Sequence, residues 1–374
     1  MKKIYMLCIF IVLLMLKLNC LFAFDTEQIS EDVRLNKLIK ELNEYSEGLD
    51  LGTVSQDLLS GKALEYENIL DKIINIIKSS LIPCMKEILL ILAFIVIISA
   101  TKALELDKDS TITKIANMIT VLIIITYLLT TFSEFITTVK KVISVESSII
   151  QIASPFLMSL LILTGAATTV GIVEPLVLLL VQIISFSVNY IIIPLLTISI
   201  VFSIVTSISD KVNLEKLGGI CNKTALWLNA IFLSIFLGVI SLGTSVTTSV
   251  DGITVKATQT AVSGVIPVVG KFVSDSVEFV MGATETIAKT SGVVSIIALI
   301  IVMIAPIIKL TITVIATSFI TAIADSINTD KTIVKLLDKF SDVFKTMLGV
   351  LISTSITFII SISVMMALIG KVIE

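Results

Sequence analysis

Long runs without a charged residue recur along this 374-residue chain, and they decide its fold class. A run of roughly 20 apolar residues, wound as helix at ~1.5 Å per residue, matches the ~30 Å hydrocarbon core of a bilayer. Barrel strands would instead show ~10-residue segments of alternating polarity. The runs read as 81–101, 115–137, 151–172, 176–208, 225–247, 292–324 and 347–370. Hydrophobic residues make up 56% of the chain and its mean hydropathy is +1.07, above the ~45–50% apolar share of soluble domains. The sequence predicts an all-α, polytopic membrane protein with about six to eight transmembrane helices.

Two runs, 176–208 and 292–324, are longer than one crossing needs. Each would make ~50 Å of helix, and each holds an internal proline, Pro194 and Pro306. Proline removes a backbone hydrogen bond and crowds the carbonyl four residues back, so both runs are expected as kinked or broken helices. Orientation follows from lysines in short connectors. Connectors 102–114, 211–223 and 331–345 carry three, three and four lysines and are placed in the cytoplasm. The crossings between the first two must then be even in number. A break at Pro194 gives eight crossings in all; a re-entrant 151–172 gives six.

Lys309 lies three residues after Pro306, inside an apolar run. An ammonium at mid-bilayer costs ~3 kcal/mol or more, so it needs a partner. The choices are carbonyls freed by the proline, Glu134, Glu174 or a hydrated cavity. Segment 250–290 is a second unusual region, too polar to span lipid alone and too apolar for an ordinary loop. It carries Lys271, Asp275 and Glu278, and two readings fit: a re-entrant segment lining an interior, or an amphipathic helix at the interface. Proline spacing suggests an internal duplication, because Pro155 and Pro194 stand as far apart as Pro267 and Pro306. The repeats would be 139–250 and 251–362, with "PCMK" at 83–86 and "PIIK" at 306–309 as similar text.

The chain opens with the shape of a signal peptide, residues 1–23: Lys2 and Lys3, an apolar Ile4–Leu16, then Ala23. Residues 24–80 hold 12 acidic and 6 basic residues and read as a small extracytoplasmic helical region. Its "VRLNKLIKELNEY" sets Val33, Leu35, Leu38, Ile39 and Leu42 near helical spacing. Connector 330–347 is amphipathic, with Ile333, Leu336, Leu337, Phe340, Val343, Phe344 and Met347 on one face, and is expected on the cytoplasmic membrane surface. The chain has no histidine, which removes Ser–His catalysis, HExxH metalloprotease chemistry and His-ligated metals. The four cysteines, Cys8, Cys20, Cys84 and Cys221, show no zinc spacing. No basic cluster suits nucleic acid. No catalytic residue, cofactor or metal site is expected.

Four stretches in order carry a family likeness: the leader and acidic helical region, "LTGAATTVGIVEP" at 163–175, "SDKVNLEKLGGICNKTALWLNAIFLSIFLGVISLGTSV" at 209–246, and "DGITVKATQTAVSGVIPVVGKFVSDS" at 251–276, followed by "APIIKL" at 305–310. The chain resembles stage III sporulation protein AE of endospore-forming Firmicutes. That resemblance implies a non-enzymatic component of the channel between mother cell and forespore, in the mother-cell membrane that faces the forespore. It implies further stage III membrane proteins as partners, with a ring-forming channel and an associated ATPase. The family offers no catalytic residues to carry over. A stand-alone secondary transporter of a small solute is the alternative that broken helices and a buried lysine would suit.

Overall fold

A computed structural model describes residues 111–163, 166–208, 214–265, 267–327 and 331–373, with 38–42 and a few single positions ahead of residue 111; the side chains of 243–285 lie outside this set. The described elements are all helical. They are α1 (Thr111–Leu163), α2 (Ala167–Ser187), a π-helical turn (Val188–Ile192), α3 (Ile193–Ile208), α4 (Glu215–Val265), α5 (Pro267–Ser326) and α6 (Lys331–Ile373). Among the described residues five helices are long and apolar enough to cross a membrane, α2, the π turn and α3 counting as one. The leader and, apart from single positions, the expected first segment, 81–101, fall outside the described residues.

Pairs of contacts fix the relative directions. Phe135 stacks on Phe344 and Glu146 faces Ser355; the two separations along the chain are equal (344 − 135 and 355 − 146), as in parallel helices. Glu215 pairs with Lys339 and Asn229 with Ser353 at another constant offset, so α4 also runs parallel to α6. In contrast, Ser318 meets Ser341 across the α5–α6 hairpin and Gly292 abuts Met366, an antiparallel pairing. The α3–α4 hairpin is antiparallel too: the Ser199 hydroxyl donates to the Gly218 carbonyl at 2.7 Å and the Leu214 N–H to Thr206 Oγ1 at 3.0 Å. The starts of α1, α4 and α6, where the lysine connectors lie, therefore share one end of the bundle.

This arrangement resolves the parity differently from the sequence expectation. Runs 115–137 and 151–163 belong to one continuous helix of 53 residues, because the polar stretch between them stays helical. This helix ends at Leu163 and α2 opens at Ala167, so the expected run 151–172 is shared between two helices and is not a separate crossing. Nor does the chain reverse at Pro194. The helix instead widens into the π turn, and the Ile193 N–H reaches back to the Val188 carbonyl. The wider turn relieves the clash of the proline ring with the preceding backbone while the helix continues. Asn189 Nδ2 and Ser187 Oγ add bonds to the Ser185 and Ile183 carbonyls at 2.9 and 2.6 Å. At Pro306 helix α5 runs on without interruption.

The core lies between α1, α5 and α6. Ile333, Leu336, Leu337, Phe340, Val343, Phe344 and Met347, expected on the membrane surface, are instead almost wholly buried. Their helix is the first third of α6, in line with the apolar span that follows. Its apolar face covers α1 rather than lipid, with the Phe344 ring 4.6 Å from Phe135 and 6.5 Å from Phe132. Residues 38–42 are helical and bury Leu38, Ile39 and Leu42 in the same core, which gives the apolar stripe of the 24–80 region something to pack on.

Candidate functional site

Hydroxyls are the commonest polar groups in these helices, and most are satisfied locally. Thr126, Thr137, Thr197, Ser203, Ser291, Ser295, Thr317 and Ser361 each donate to the carbonyl four residues back. This mode lets a polar side chain sit in an apolar helix without an external partner. Groups that depart from it are the informative ones.

Lys309 is the first. Its Nζ lies 3.4 Å from Glu134 Oε2, on α1, rather than on carbonyls freed by Pro306. Of the two carboxylates the sequence offered, Glu134 is therefore the partner and Glu174 is not; Glu174 sits half-buried near the start of α2. Both members of the pair are more than half exposed, 54% and 60%. The pair thus lies on the flank of the α1–α5 seam and not in an enclosed cavity. Pro194 is exposed on α3 and Pro306 partly buried on α5; neither touches the pair by a bond. Lys271, Asp275 and Glu278 lie on the first part of α5, with side chains outside the described set.

The second group gathers at the shared end. Glu215, at the start of α4, receives Lys339 at 3.3 Å and Lys335 at 3.7 Å from α6. A carboxylate in a helix's first turn is favoured by the helix dipole, and here it also clamps α4 to α6. A cleft of about 850 Å³ opens beside it, lined by Glu215, Lys216, Asn222, Lys223, Lys339 and Asp342. Deeper, Asn229 Nδ2 donates to Ser353 Oγ at 2.8 Å, a polar cross-link between the same two helices.

The third is Glu146 on α1, absent from the sequence-level candidates. It is fully buried, and neither carboxyl oxygen has a hydrogen-bond partner. It faces Ser355 without closing a bond, and the hydroxyls of Ser154, Thr354 and Ser355 are likewise buried and unbonded. The sequence hid it because "VKKVISVESS" reads as a polar loop between two crossings. One signal could have exposed it: Val139, Val142, Ile143, Ile149, Ile150 and Ala153 recur at helical spacing, and Glu146 stands on that stripe. Among the described residues no cluster of three or more His, Cys, Asp or Glu is arranged to hold a metal ion.

Comparison with known proteins agrees with the likeness in the text. The family model described as stage III sporulation protein AE matches residues 49–368. Stage III sporulation protein AE of Bacillus subtilis (strain 168) is 28% identical over 193 residues, covering 52% of this chain and 48% of its own. The chain thus spans about half the length of the curated relative it matches. No solved structure matches.

Proposed function

This chain belongs to the stage III sporulation protein AE family, and from that membership we propose that it is a membrane component of the channel or export complex that joins mother cell and forespore. The carrying observation is the extent of the family match, residues 49–368, which takes in every described membrane-length helix almost whole. The chain is a polytopic helical membrane protein with a role in sporulation. Its finer placement, in the mother-cell membrane that faces the forespore, beside further stage III membrane proteins, a ring-forming channel and an ATPase, is our reading. The shared end with the lysine connectors is read as cytoplasmic by the positive-inside rule. The protein works there without catalysing a reaction of its own.

Two features of the bundle suit a subunit of a larger assembly. The Lys309–Glu134 pair and the exposed Ile115, Met118, Ile119 and Leu122 of α1 lie on outer faces. We also read α3–α4, and the second half of α5 with α6, as corresponding parts of the tandem repeats 139–250 and 251–362, since both are antiparallel hairpins whose first helix holds a proline, Pro194 and Pro306.

The test is purification of the tagged full-length protein from sporulating cells. Other stage III membrane proteins should come with it, and deletion of its gene should arrest spore development. Recovery of the protein alone, together with uptake of a small solute by liposomes holding nothing else, would establish the secondary transporter instead.

A further inference from the structure

Glu146 is an uncompensated acid in the middle of a packed bundle. Burial of a carboxylate with no partner costs several kcal/mol, and such charges persist only when paired or bound to an ion. Among the described residues no cationic side chain is bonded to it, and Lys40, on the 38–42 helix that packs into the same core, is exposed. Along α1 the flanking basic residues are Lys140 and Lys141, both exposed. On α6 no charged residue lies between Lys345 and Lys371, and on α4 none between Lys223 and Leu242. On α2 the one charge is Glu174, itself an acid. On α5, Lys309 is held by Glu134, which stands about 18 Å along α1 from Glu146 at the helical rise. Lys289 lies farther along α5, on the antiparallel register about 20 Å beyond the level of Ser355.

Across the α1–α6 contact the acid meets a hydroxyl. Ser355 faces it with a hydroxyl that has left the usual bond to the preceding turn. The neighbouring Thr354 hydroxyl and Ser154, two turns on along α1, are unbonded and fully buried as well. Elsewhere on α6, Thr357 and Ser361 keep their bonds to preceding carbonyls, as Ser291 and Ser295 do on α5. A carboxylate with a hydroxyl beside it offers hard oxygen donors, which suit a hard cation, and a single carboxylate is balanced by a single positive charge.

We propose that Glu146 and Ser355 form an interior site for one small monovalent cation, a sodium ion or a proton, at the α1–α6 contact. Occupancy neutralises the carboxylate and ties α1 to α6; in the empty site the Ser355 hydroxyl is the one donor that faces the buried charge. The site is independent of the family assignment, because it rests on burial and missing partners alone.

Thermal unfolding of the full-length protein in detergent decides the matter, with sodium, potassium and choline chloride compared at acidic and alkaline pH. For a sodium site, the midpoint at alkaline pH should climb with the logarithm of sodium concentration and not with choline. For a proton site, it should climb on acidification and ignore sodium. Glu146→Gln, a neutral isostere, should abolish either response, and Ser355→Ala should shift the sodium response to about tenfold higher concentration, as loss of one oxygen to a charged group implies. A wild-type midpoint indifferent to both sodium and pH overturns the proposal even if the variants fail to fold. So does a response that Glu146→Gln leaves intact.

Discussion

The rings of Phe135 and Phe344 are stacked 4.6 Å apart, one on α1 and one on α6, although 209 positions separate them in the chain (344 − 135). The contact converts an amphipathic connector into part of the bundle core, since Phe344 also lies 6.0 Å from Phe340 in an edge-on arrangement. Offset or edge-on aromatic pairs add ~0.5–1.5 kcal/mol to the burial they bring.

Truncation of this ring should therefore destabilise the whole bundle. Phe344→Ala is expected to cost ~3–5 kcal/mol, because a fully buried phenyl is removed from a site that collapses only in part. Phe344→Leu should cost about 1.5 kcal/mol. Thermal unfolding in detergent reads both; equal midpoints for Phe344→Ala and the wild type would return this segment to the membrane surface.

Lys309→Met should leave the fold intact, since an ion pair exposed on both sides is worth ~1 kcal/mol or less. If the charge serves transport, spore yield falls while membrane insertion and protein level stay normal. Normal spore yield would reduce Lys309 to a surface partner of Glu134. The swapped pair, Lys309→Glu with Glu134→Lys, should recover more function than either single change.

Adjacent glycines on α4 should behave in opposite ways. A Cβ on Gly218 would stand 3.1 Å from the Ser199 backbone oxygen, and backbone cannot yield as a side chain does. Gly218→Ala is therefore expected to cost ~1–3 kcal/mol and to loosen the α3–α4 hairpin. Gly219 has open space on that side, so Gly219→Ala should be neutral or stabilise the helix by up to ~1 kcal/mol. Midpoints of the two variants in one detergent settle it; identical behaviour would contradict the close α3–α4 approach.

The directions of the helices make a labelling prediction. In a cysteine-free background, Lys216→Cys and Lys331→Cys, at the starts of α4 and α6, should react from the same side of the membrane. Leu163→Cys, exposed at the far end of α1, should react from the other. The positive-inside rule makes the first side cytoplasmic. Labelling of 216 and 331 from opposite sides would overturn the parallel pairing of α4 with α6.

Much of the architecture was readable before any coordinates. Hydrophobic runs gave the class, and Lys309 with Glu134 could be singled out because a charge inside an apolar run is conspicuous. The buried stripe Leu38, Ile39 and Leu42 followed from spacing. Continuity was harder. Lys140, Lys141 and Glu146 make the middle of α1 look like a loop, because hydropathy averages over both faces of a helix and loses a polar group pointed inward. The face of Phe340 and Phe344 was visible as apolar, but its partner on α1 was not, since a face does not name what covers it. Pro194 and Pro306 misled in the same way: a proline announces a lost hydrogen bond, while the answer, a π turn or plain continuation, is chosen by the packing around it.

Helices α4 and α5 have one further consequence. The apolar run of α4 ends near residue 247 while its backbone stays helical to Val265, and α5 begins at Pro267 well ahead of its own apolar run, which opens at 292. At ~1.5 Å per residue the surplus on each is about 30 Å, as much again as the oily layer they cross. Both surpluses lie at the end of the bundle opposite the lysine connectors, so a partner approaching that end meets helix before it meets the apolar spans.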